Sequence, residues 1–129
     1  MPFMSVMPNL YTADIERSVG FYRDLLGGTQ TFRTPAEGIP EHVELRIGDV
    51  IIALSRREAV PRQGLPAPTA GNPMELVIGC DSADEAVAAL RAAGTPVLVE
   101  PYRHPSGHRR AYVADPDGNW IAVTSKQGA

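Results

Sequence analysis

Apolar residues recur at helical spacing in two stretches of the chain that resemble each other. The first runs from Asp14 to Gly27 and the second from Asp81 to Gly94, 67 positions later. Both begin with an aspartate. Asp14 in the first stretch, and Asp81 or Ser82 in the second, can accept hydrogen bonds from the free N–H groups of a first helical turn. Both end at a glycine, which readily adopts the positive φ required just beyond a helix. The pattern therefore predicts two helices and an internal duplication, in which Met7 and Met74 precede their aspartates by the same seven residues.

Apolar segments of strand length surround each predicted helix. Two turn signals, Gly48-Asp49 and Asp115-Pro116-Asp117-Gly118, separate pairs of these segments and indicate β-hairpins. Each half of the chain therefore predicts the order βαβββ. The predicted strands are Val6–Tyr11, Gln30–Arg33, His42–Ile47 and Val50–Ser55 in the first half, and Met74–Gly79, Val97–Glu100, Arg110–Ala114 and Trp120–Thr124 in the second.

The length of the chain, 129 residues, suits one domain made of two repeats. We expect a single domain over residues 1–129, with module one over about 4–59, a linker over about 60–73 and module two over about 74–126. The segment Val60–Pro73 holds four prolines and two glycines. This composition favours an extended, exposed connector. A segment that crosses over a binding site is the alternative.

Two such modules side by side predict an α+β fold, in which a curved mixed sheet surrounds a cup and the helices cover the outer face. Side chains alternate between the two faces of a strand, so the pattern also predicts which residues point into the cup. They are Met7, Asn9, Tyr11, His42, Glu44, Arg46, Ile51, Ala53, Ser55, Trp120, Ala122 and Thr124.

Composition and charge exclude several classes of function. The net charge of −3 is unlike the basic surface of a nucleic-acid-binding protein. The apolar runs are too short to span a bilayer, and the N-terminal segment lacks the basic and apolar regions of a secretory signal. Cys80 is the one cysteine, which excludes an intrachain disulfide. We therefore expect a cytoplasmic protein, with Cys80 as a small buried residue at a strand end.

Two segments, LYTADIERSVGFYRDLLGG and YVADPDGNWIAV, resemble the signature segments of the vicinal oxygen chelate superfamily. This superfamily includes glyoxalase I, extradiol dioxygenases, fosfomycin-resistance enzymes and bleomycin-resistance proteins. The resemblance covers essentially the whole chain. It implies paired βαβββ modules that assemble as a homodimer, with the cups at or near the subunit interface. Pro8 then marks either a strand that swaps between subunits or an ordinary edge strand.

The resemblance also identifies the positions that hold a metal ion in the superfamily's enzymes. One ligand, a His, Glu or Gln, comes from each of four strands, and the residues at those positions here are Met7, Ala53, Met74 and Ala122. A thioether is a weak, soft ligand and alanine has no donor atom. The resemblance therefore implies neither a metal centre nor another cofactor. It points to the bleomycin-resistance branch, which uses the fold as a metal-free receptor.

Methionines and alanines at those four positions leave an apolar floor that suits a flat ligand. Methionine adapts to irregular shapes, and aromatic side chains stack on ring systems. A few polar groups orient a ligand in such a pocket. Each candidate also has an ordinary structural interpretation as core, salt-bridge or surface residue, and no catalytic residue is predicted. The predicted ligand-binding residues are Met7, Asn9, Tyr11, His42, Glu44, Arg46, Ala53, Met74, Arg110, Tyr112, Trp120 and Ala122.

The sequence favours a metal-free binding protein that sequesters an antibiotic or other natural product. The alternative is a lyase or isomerase of the glyoxalase or dioxygenase type that acts without the usual metal, with His42, Glu44 or Tyr112 as acid or base. A regulatory module without a small ligand is a third possibility. The expected partners are a small, partly aromatic molecule and a second copy of the chain, and neither nucleic acid nor membrane.

Overall fold

The computed structural model describes residues 2–126, and the chain divides into two compact units between Thr69 and Ala70. The first is called unit 1 and the second unit 2, and each is described by itself. Unit 1 contains β1 (Asn9–Thr12), α1 (Ile15–Gly20), β2 (Thr29–Thr34), β3 (His42–Ile47) and β4 (Val50–Arg56). Unit 2 contains β5 (Leu76–Gly79), α2 (Ala83–Ala92), β6 (Val97–Arg103), β7 (Arg109–Ala114) and β8 (Trp120–Ser125).

Each unit has one four-stranded mixed sheet with the same connectivity. The strand order is β1-β4-β3-β2 in unit 1 and β5-β8-β7-β6 in unit 2. The first strand of each unit pairs in parallel with the last, and the other pairs are antiparallel. The predicted α+β class with two βαβββ modules is confirmed.

The helix boundaries follow from the capping residues. The Asp14 side chain accepts a hydrogen bond from the backbone N–H of Arg17 at the start of α1. The Ser82 side chain accepts one from the backbone N–H of Glu85 at the start of α2. A π-helical turn over Phe21–Leu25 continues α1. Gly27 lies just beyond that turn with a φ of 76°, and Gly94 lies beyond α2 with a φ of 90°. Both predicted glycine stops therefore occupy the left-handed region that favours glycine.

The core of each unit lies between its helix and one face of its sheet. α1 lies against β4, and α2 lies against β6, β7 and β8. Alternate strand residues are buried on this face, as the period of two predicts. In unit 1 the buried set includes Val43, Leu45, Ile52 and Leu54 with Ile15, Val19 and Tyr22. In unit 2 it includes Ala111, Val113, Ile121 and Val123 with Ala83, Val87 and Leu90.

The other face of each sheet is called the open face below. In unit 1 the cross-strand register gives this face Asn9, Ala53 and Glu44 in one row and Tyr11, Ser55 and His42 in the next. In unit 2 it gives Val77, Ala122 and Tyr112 in one row and Gly79, Thr124 and Arg110 in the next.

Several predicted boundaries differ from the structure. β1 begins at Asn9 and β5 at Leu76, so the predicted starts at Val6 and Met74 are wrong. Pro8 directly precedes β1, and a proline has no N–H to give to a strand ladder. Pro73 lies three residues before β5 and does not explain where that strand begins. β6 runs to Arg103, three residues beyond the predicted end. Among residues 2–126, no helix is long and apolar enough to cross a membrane.

Cys80 follows the last residue of β5 and is exposed, so the prediction of a buried cysteine is wrong. Its Sγ lies 3.4 Å from the backbone oxygen of Thr124. Partial desolvation raises the pKa of the Cys80 thiol, and the nearby Asp81 carboxylate acts in the same direction. The thiol therefore stays protonated at neutral pH and is a poor nucleophile.

Candidate ligand-binding site

A cavity of about 470 Å³ lies on the open face of unit 2. This volume falls in the range of small-molecule sites in proteins. The wall is mostly apolar and carries one carboxylate. Its lining residues are Glu75, Leu98, Val99, Tyr112 and Trp120.

The strand register explains why these side chains meet. Val99 and Ala122 flank Tyr112 on the neighbouring strands β6 and β8. Ala122 is fully buried beside Tyr112 and does not line the cavity itself. The register of β6 against β7 shifts between Val97 and Val99. Such a bulge breaks the alternation of side chains, which explains how the successive residues Leu98 and Val99 both line the cavity.

Asp115 holds the turn that leads into β8. Its Oδ1 accepts from the backbone N of Asp117 and of Asn119, both at 2.8 Å, and its Oδ2 accepts from Asn119 Nδ2 at 2.9 Å. Trp120, which follows Asn119 in the chain, donates its backbone N–H to Asn72 Oδ1 at 3.3 Å. These bonds determine where β8 begins and therefore where the Trp120 ring lies.

A polar group of three residues borders the cavity. Arg110 Nη1 donates to the Tyr112 hydroxyl at 3.1 Å and lies 3.8 Å from Glu75 Oε1. The hydrogen bond to Tyr112 is the main cause that raises the pKa of Arg110, and the Glu75 carboxylate adds to it. At 3.8 Å the Glu75 contact is an ion pair without a hydrogen bond. The carboxylate of Glu75 therefore keeps its acceptor capacity for a ligand.

A second polar group lies on the open face of unit 1. His42 Nδ1 lies 2.8 Å from Ser55 Oγ, and His42 Nε2 lies 2.8 Å from Glu44 Oε2. Ser55 Oγ also lies 2.8 Å from Asn9 Oδ1. The four side chains come from β1, β3 and β4, so the network joins three strands.

The structural repeat has an offset of 68 positions at its start, one more than the sequence pattern indicates. α1 begins at Ile15 and α2 at Ala83. Asn9 of β1 pairs with Ala53, and Val77 of β5 pairs with Ala122. Because Ala53 and Ala122 have equivalent places in their sheets, Asn9 corresponds to Val77, which is again 68 positions later. The counterpart of Met7 in unit 2 is therefore Glu75, and the equivalence of Met7 with Met74 is wrong. Ala53 and Ala122 keep equivalent places in their sheets.

The corrected equivalence still leaves a donor set that does not fit a metal ion. Of the four positions, only Glu75 carries a carboxylate, because Met7 offers a thioether and Ala53 and Ala122 offer no donor atom. Within the described part of the chain, no three His, Cys, Asp or Glu side chains are grouped to hold a metal ion. No step of a reaction is therefore assigned to a metal at these positions.

We expect divalent ions to leave the stability of the protein unchanged. A site filled at one hundred times its Kd would add about 2.7 kcal/mol to the free energy of unfolding. Thermal unfolding of tag-free protein with and without Ni²⁺, Zn²⁺ or Mn²⁺ checks this, with EDTA-treated protein as the reference. A stoichiometric metal in elemental analysis of the purified protein would contradict it.

The structure brings some predicted ligand-binding residues together and separates others. Tyr112 and Trp120 line the cavity of unit 2, with Arg110 and Ala122 beside Tyr112. Met7 and Met74 precede their strands and are exposed. The remaining predicted residues lie on the open face of unit 1, and they are Asn9, Tyr11, His42, Glu44, Arg46 and Ala53.

Sequence reasoning missed three of the five cavity residues. Glu75 is available from the sequence by moving the repeat alignment one residue. Leu98 and Val99 depend on the β6 register shift between Val97 and Val99, which no residue type at that place indicates, whereas Pro101 lies in the second shift, between Val99 and Tyr102. Ser55 was expected on the open face, but its contact with His42 depends on the β3–β4 register.

A family model described as the Glyoxalase/Bleomycin resistance protein/Dioxygenase superfamily matches residues 5–123. Among curated proteins, none matches the sequence at a significant level. Many solved structures share the fold. One is the hypothetical protein SA1046 from S. aureus, with 23% identity, coverage of 97% of this chain and 95% of that chain, and a TM-score of 0.82.

Two further structures extend the comparison. TioX from Micromonospora sp. ML1 is 24% identical, with coverage of 95% of this chain and 98% of that chain and a TM-score of 0.74. The genomically encoded fosfomycin resistance protein FosX from Listeria monocytogenes is 12% identical, with coverage of 99% and 97% and a TM-score of 0.74. At these identities the likeness shows a shared fold alone. The family model spans nearly the whole sequence, and the chain therefore belongs to the glyoxalase/bleomycin resistance protein/dioxygenase superfamily, within the vicinal oxygen chelate fold.

Proposed function

We propose that the protein binds a small, partly aromatic molecule in the cavity of unit 2 and sequesters it without using a metal. The observation that carries the proposal is an apolar cavity beside a carboxylate that makes no hydrogen bond within the described residues. In the cell, stoichiometric capture of an antibiotic or other natural product in this way gives resistance.

The apolar wall supplies most of the binding free energy in this proposal. Trp120 is 45% exposed, and Leu98 and Val99 are 48% and 42% exposed, so a ligand that covers them removes apolar surface from water. The Trp120 and Tyr112 rings offer faces on which a flat ring system stacks. An apolar surface of this kind suits a ring system better than it suits a sugar or a phosphate.

The polar border gives the orientation. Glu75 accepts a hydrogen bond from an N–H or O–H group of the ligand, and Arg110 holds the Tyr112 hydroxyl as an acceptor, which leaves the hydroxyl proton free to donate. The charges of Glu75 and Arg110 are opposite, so together they add no net charge to the polar border. The favoured ligand is therefore a flat ring system that carries both a donor and an acceptor.

The superfamily includes antibiotic-resistance proteins as well as metal enzymes, and FosX is described as a fosfomycin resistance protein. The unsuitable metal positions, Met7, Ala53 and Ala122, favour a receptor over a metal enzyme. The resemblance to the bleomycin-resistance branch adds a homodimer and a cytoplasmic location to the proposal. Size-exclusion chromatography with light scattering tests the dimer.

Ligand binding is expected to quench or shift the emission of Trp120, the only tryptophan of the chain. Bleomycin-type, mitomycin-type and polycyclic aromatic antibiotics are the compounds for the titration. In calorimetry, Trp120→Ala should weaken binding by about 10- to 100-fold, because stacking on one aromatic side chain contributes about 1–3 kcal/mol.

Val50→Ala is the matched control, because Val50 is exposed but lies at the start of β4 in unit 1. We expect this variant to bind as the unchanged protein does. Absence of binding to every compound, together with absence of protection when the protein is expressed in sensitive cells, would refute the proposal.

A further inference from the structure

The polar network of unit 1 has the connectivity of a nucleophilic site. Glu44, His42 and Ser55 form a continuous carboxylate–imidazole–hydroxyl chain in which each contact measures 2.8 Å. His42 and Ser55 are direct partners in the β3–β4 register. The backbone ladder therefore holds hydroxyl and imidazole together without help from a flexible loop.

The exposure of the network suits access from one side. The side chains of His42 and Glu44 are 24% and 25% exposed. Ser55 is 8% exposed, and its neighbour Ala53 on the same face of β4 is fully buried, so a substrate reaches the hydroxyl from the side of His42 and Glu44. The Phe32 ring centroid lies 6.2 Å from that of His42 and adds an apolar edge near the imidazole.

Two proton arrangements satisfy these contacts while Glu44 is ionised. In one, His42 is doubly protonated, and Ser55 accepts from Nδ1 and donates to Asn9 Oδ1. In the other, His42 is neutral with its proton on Nε2 toward Glu44, and Ser55 donates to Nδ1. Turning the Asn9 amide by half a turn then lets its Nδ2 donate to Ser55 Oγ. This second arrangement prepares a serine for attack, with a base beside it and an amide donor at hand.

We propose that the Glu44–His42–Ser55 chain is an acyl-transfer site that accepts small, unhindered esters, with Ser55 as the nucleophile. Ser55 Oγ attacks the ester carbonyl carbon while its proton passes to His42 Nδ1. The carboxylate of Glu44 stabilises the imidazolium through Nε2. Asn9 Nδ2 donates to the carbonyl oxygen, which becomes negatively charged, as single amide side chains do in other oxyanion sites.

The remaining steps balance without another reagent. The tetrahedral intermediate collapses, the bond to the alcohol oxygen breaks, and the alcohol leaves with the proton from His42. Ser55 then carries the acyl group as an ester. Water attacks this ester while His42 accepts its proton, and the second collapse releases the carboxylic acid and restores Ser55 with its proton. The ring nitrogens have exchanged roles relative to the usual serine–histidine–acid triad, but the order of the groups is the same.

The chain contains its own control for this inference. Ser106 Oγ lies 2.9 Å from His104 Nδ1 on the exposed loop between β6 and β7, so it forms a second serine–histidine contact. No carboxylate bonds to His104 in the described structure. If a serine beside a histidine were enough for reaction, Ser106 would react at least as readily as Ser55.

The test combines covalent labelling with hydrolysis of a chromogenic ester. A fluorophosphonate probe should label Ser55 and not Ser106, as peptide mass spectrometry will show, and p-nitrophenyl acetate should be hydrolysed with an initial burst. Ser55→Ala and His42→Gln should each reduce kcat by about 10²- to 10⁴-fold, and Glu44→Gln should reduce it less. Ser106→Ala should change neither result.

Labelling of Ser106 would overturn the inference. The inference would also be overturned if the folded wild-type protein were not labelled and hydrolysed the ester no faster than Ser55→Ala does. A Ser55→Ala variant that fails to fold does not remove the test, because the mapped label on the wild-type protein decides it. Ser55→Cys provides a second test when Cys80, the one natural cysteine, is replaced by serine in the same protein. Iodoacetamide should modify the cysteine at position 55 faster when His42 is present than when it is replaced by glutamine. The inference does not depend on the cavity of unit 2.

Discussion

Asp115→Ala is expected to lower the free energy of unfolding by about 2–4 kcal/mol, because a buried donor left without its acceptor costs about 1–3 kcal/mol. Asp115 is 3% exposed and accepts hydrogen bonds from two backbone N–H groups and from the Asn119 side chain. Alanine removes all three acceptor contacts at once. Part of this cost is offset where the freed N–H groups of the turn reach water. Urea denaturation, followed by the fluorescence of Trp120, measures the change.

Asp49 provides the matched control, because it lies in the corresponding hairpin of unit 1 and is exposed. Asp49→Ala should change the free energy of unfolding by no more than about 0.5 kcal/mol, as surface substitutions generally do. Asp115→Asn keeps a side-chain oxygen as acceptor and should fall between the two. Equal effects of the Asp115 and Asp49 substitutions would show that the carboxylate does not hold the turn.

The helices and core could be predicted because local rules determine them. Asp14 caps α1 as its position before an apolar stripe predicts, and Gly27 adopts the positive φ expected beyond that helix. On β3, Val43 and Leu45 are buried while His42 and Glu44 on the opposite face are partly exposed, as the alternation of side chains requires. These features depend on residues that are close in sequence, so a single sequence contains the information.

The candidate sites depend on register, which a single sequence states less clearly. The repeat pattern aligned Met7 with Met74, whereas the paired strands align Met7 with Glu75. This shift of one residue in the repeat alignment replaces the apolar Met74 with Glu75, the carboxylate of the cavity. The bulge in β6 likewise depends on pairing with β7, and it brings Leu98 and Val99 to the same cavity.

Equivalent places in the two sheets carry different chemistry. The row that holds His42 and Ser55 in unit 1 holds Arg110 and Thr124 in unit 2. In each unit, a side chain of this row contacts the side chain two residues further along the same strand. The contact is that of His42 with Glu44 in unit 1 and that of Arg110 with Tyr112 in unit 2. Duplication therefore supplied one backbone geometry twice. Different side chains give a carboxylate–imidazole–hydroxyl network in one copy and an apolar cavity with a polar border in the other.

Gly28→Ala is expected to destabilise unit 1 by about 1–3 kcal/mol, which is typical of an atom added to a space that is already filled. Gly28 follows the end of the first helical segment and donates its N–H to the backbone oxygen of Tyr22 at 2.9 Å. A Cβ at Gly28 would lie 2.8 Å from that same oxygen and 3.3 Å from Ile47 Cγ1. The oxygen belongs to the backbone and cannot turn aside as a side chain can, so the helix end must shift from β3.

Gly20→Ala separates this steric effect from the general effect of replacing a glycine. Gly20 has helical φ and ψ, and a Cβ there would meet only Asp24 Oδ2 at 3.8 Å. Alanine should therefore raise the free energy of unfolding by about 0.5–1 kcal/mol at this position, because it restricts the unfolded chain and favours a helix. Thermal and urea denaturation of both variants should give changes of opposite sign. Changes of the same sign would show that the close approach of Gly28 to Tyr22 does not limit the packing of the helix end on the sheet.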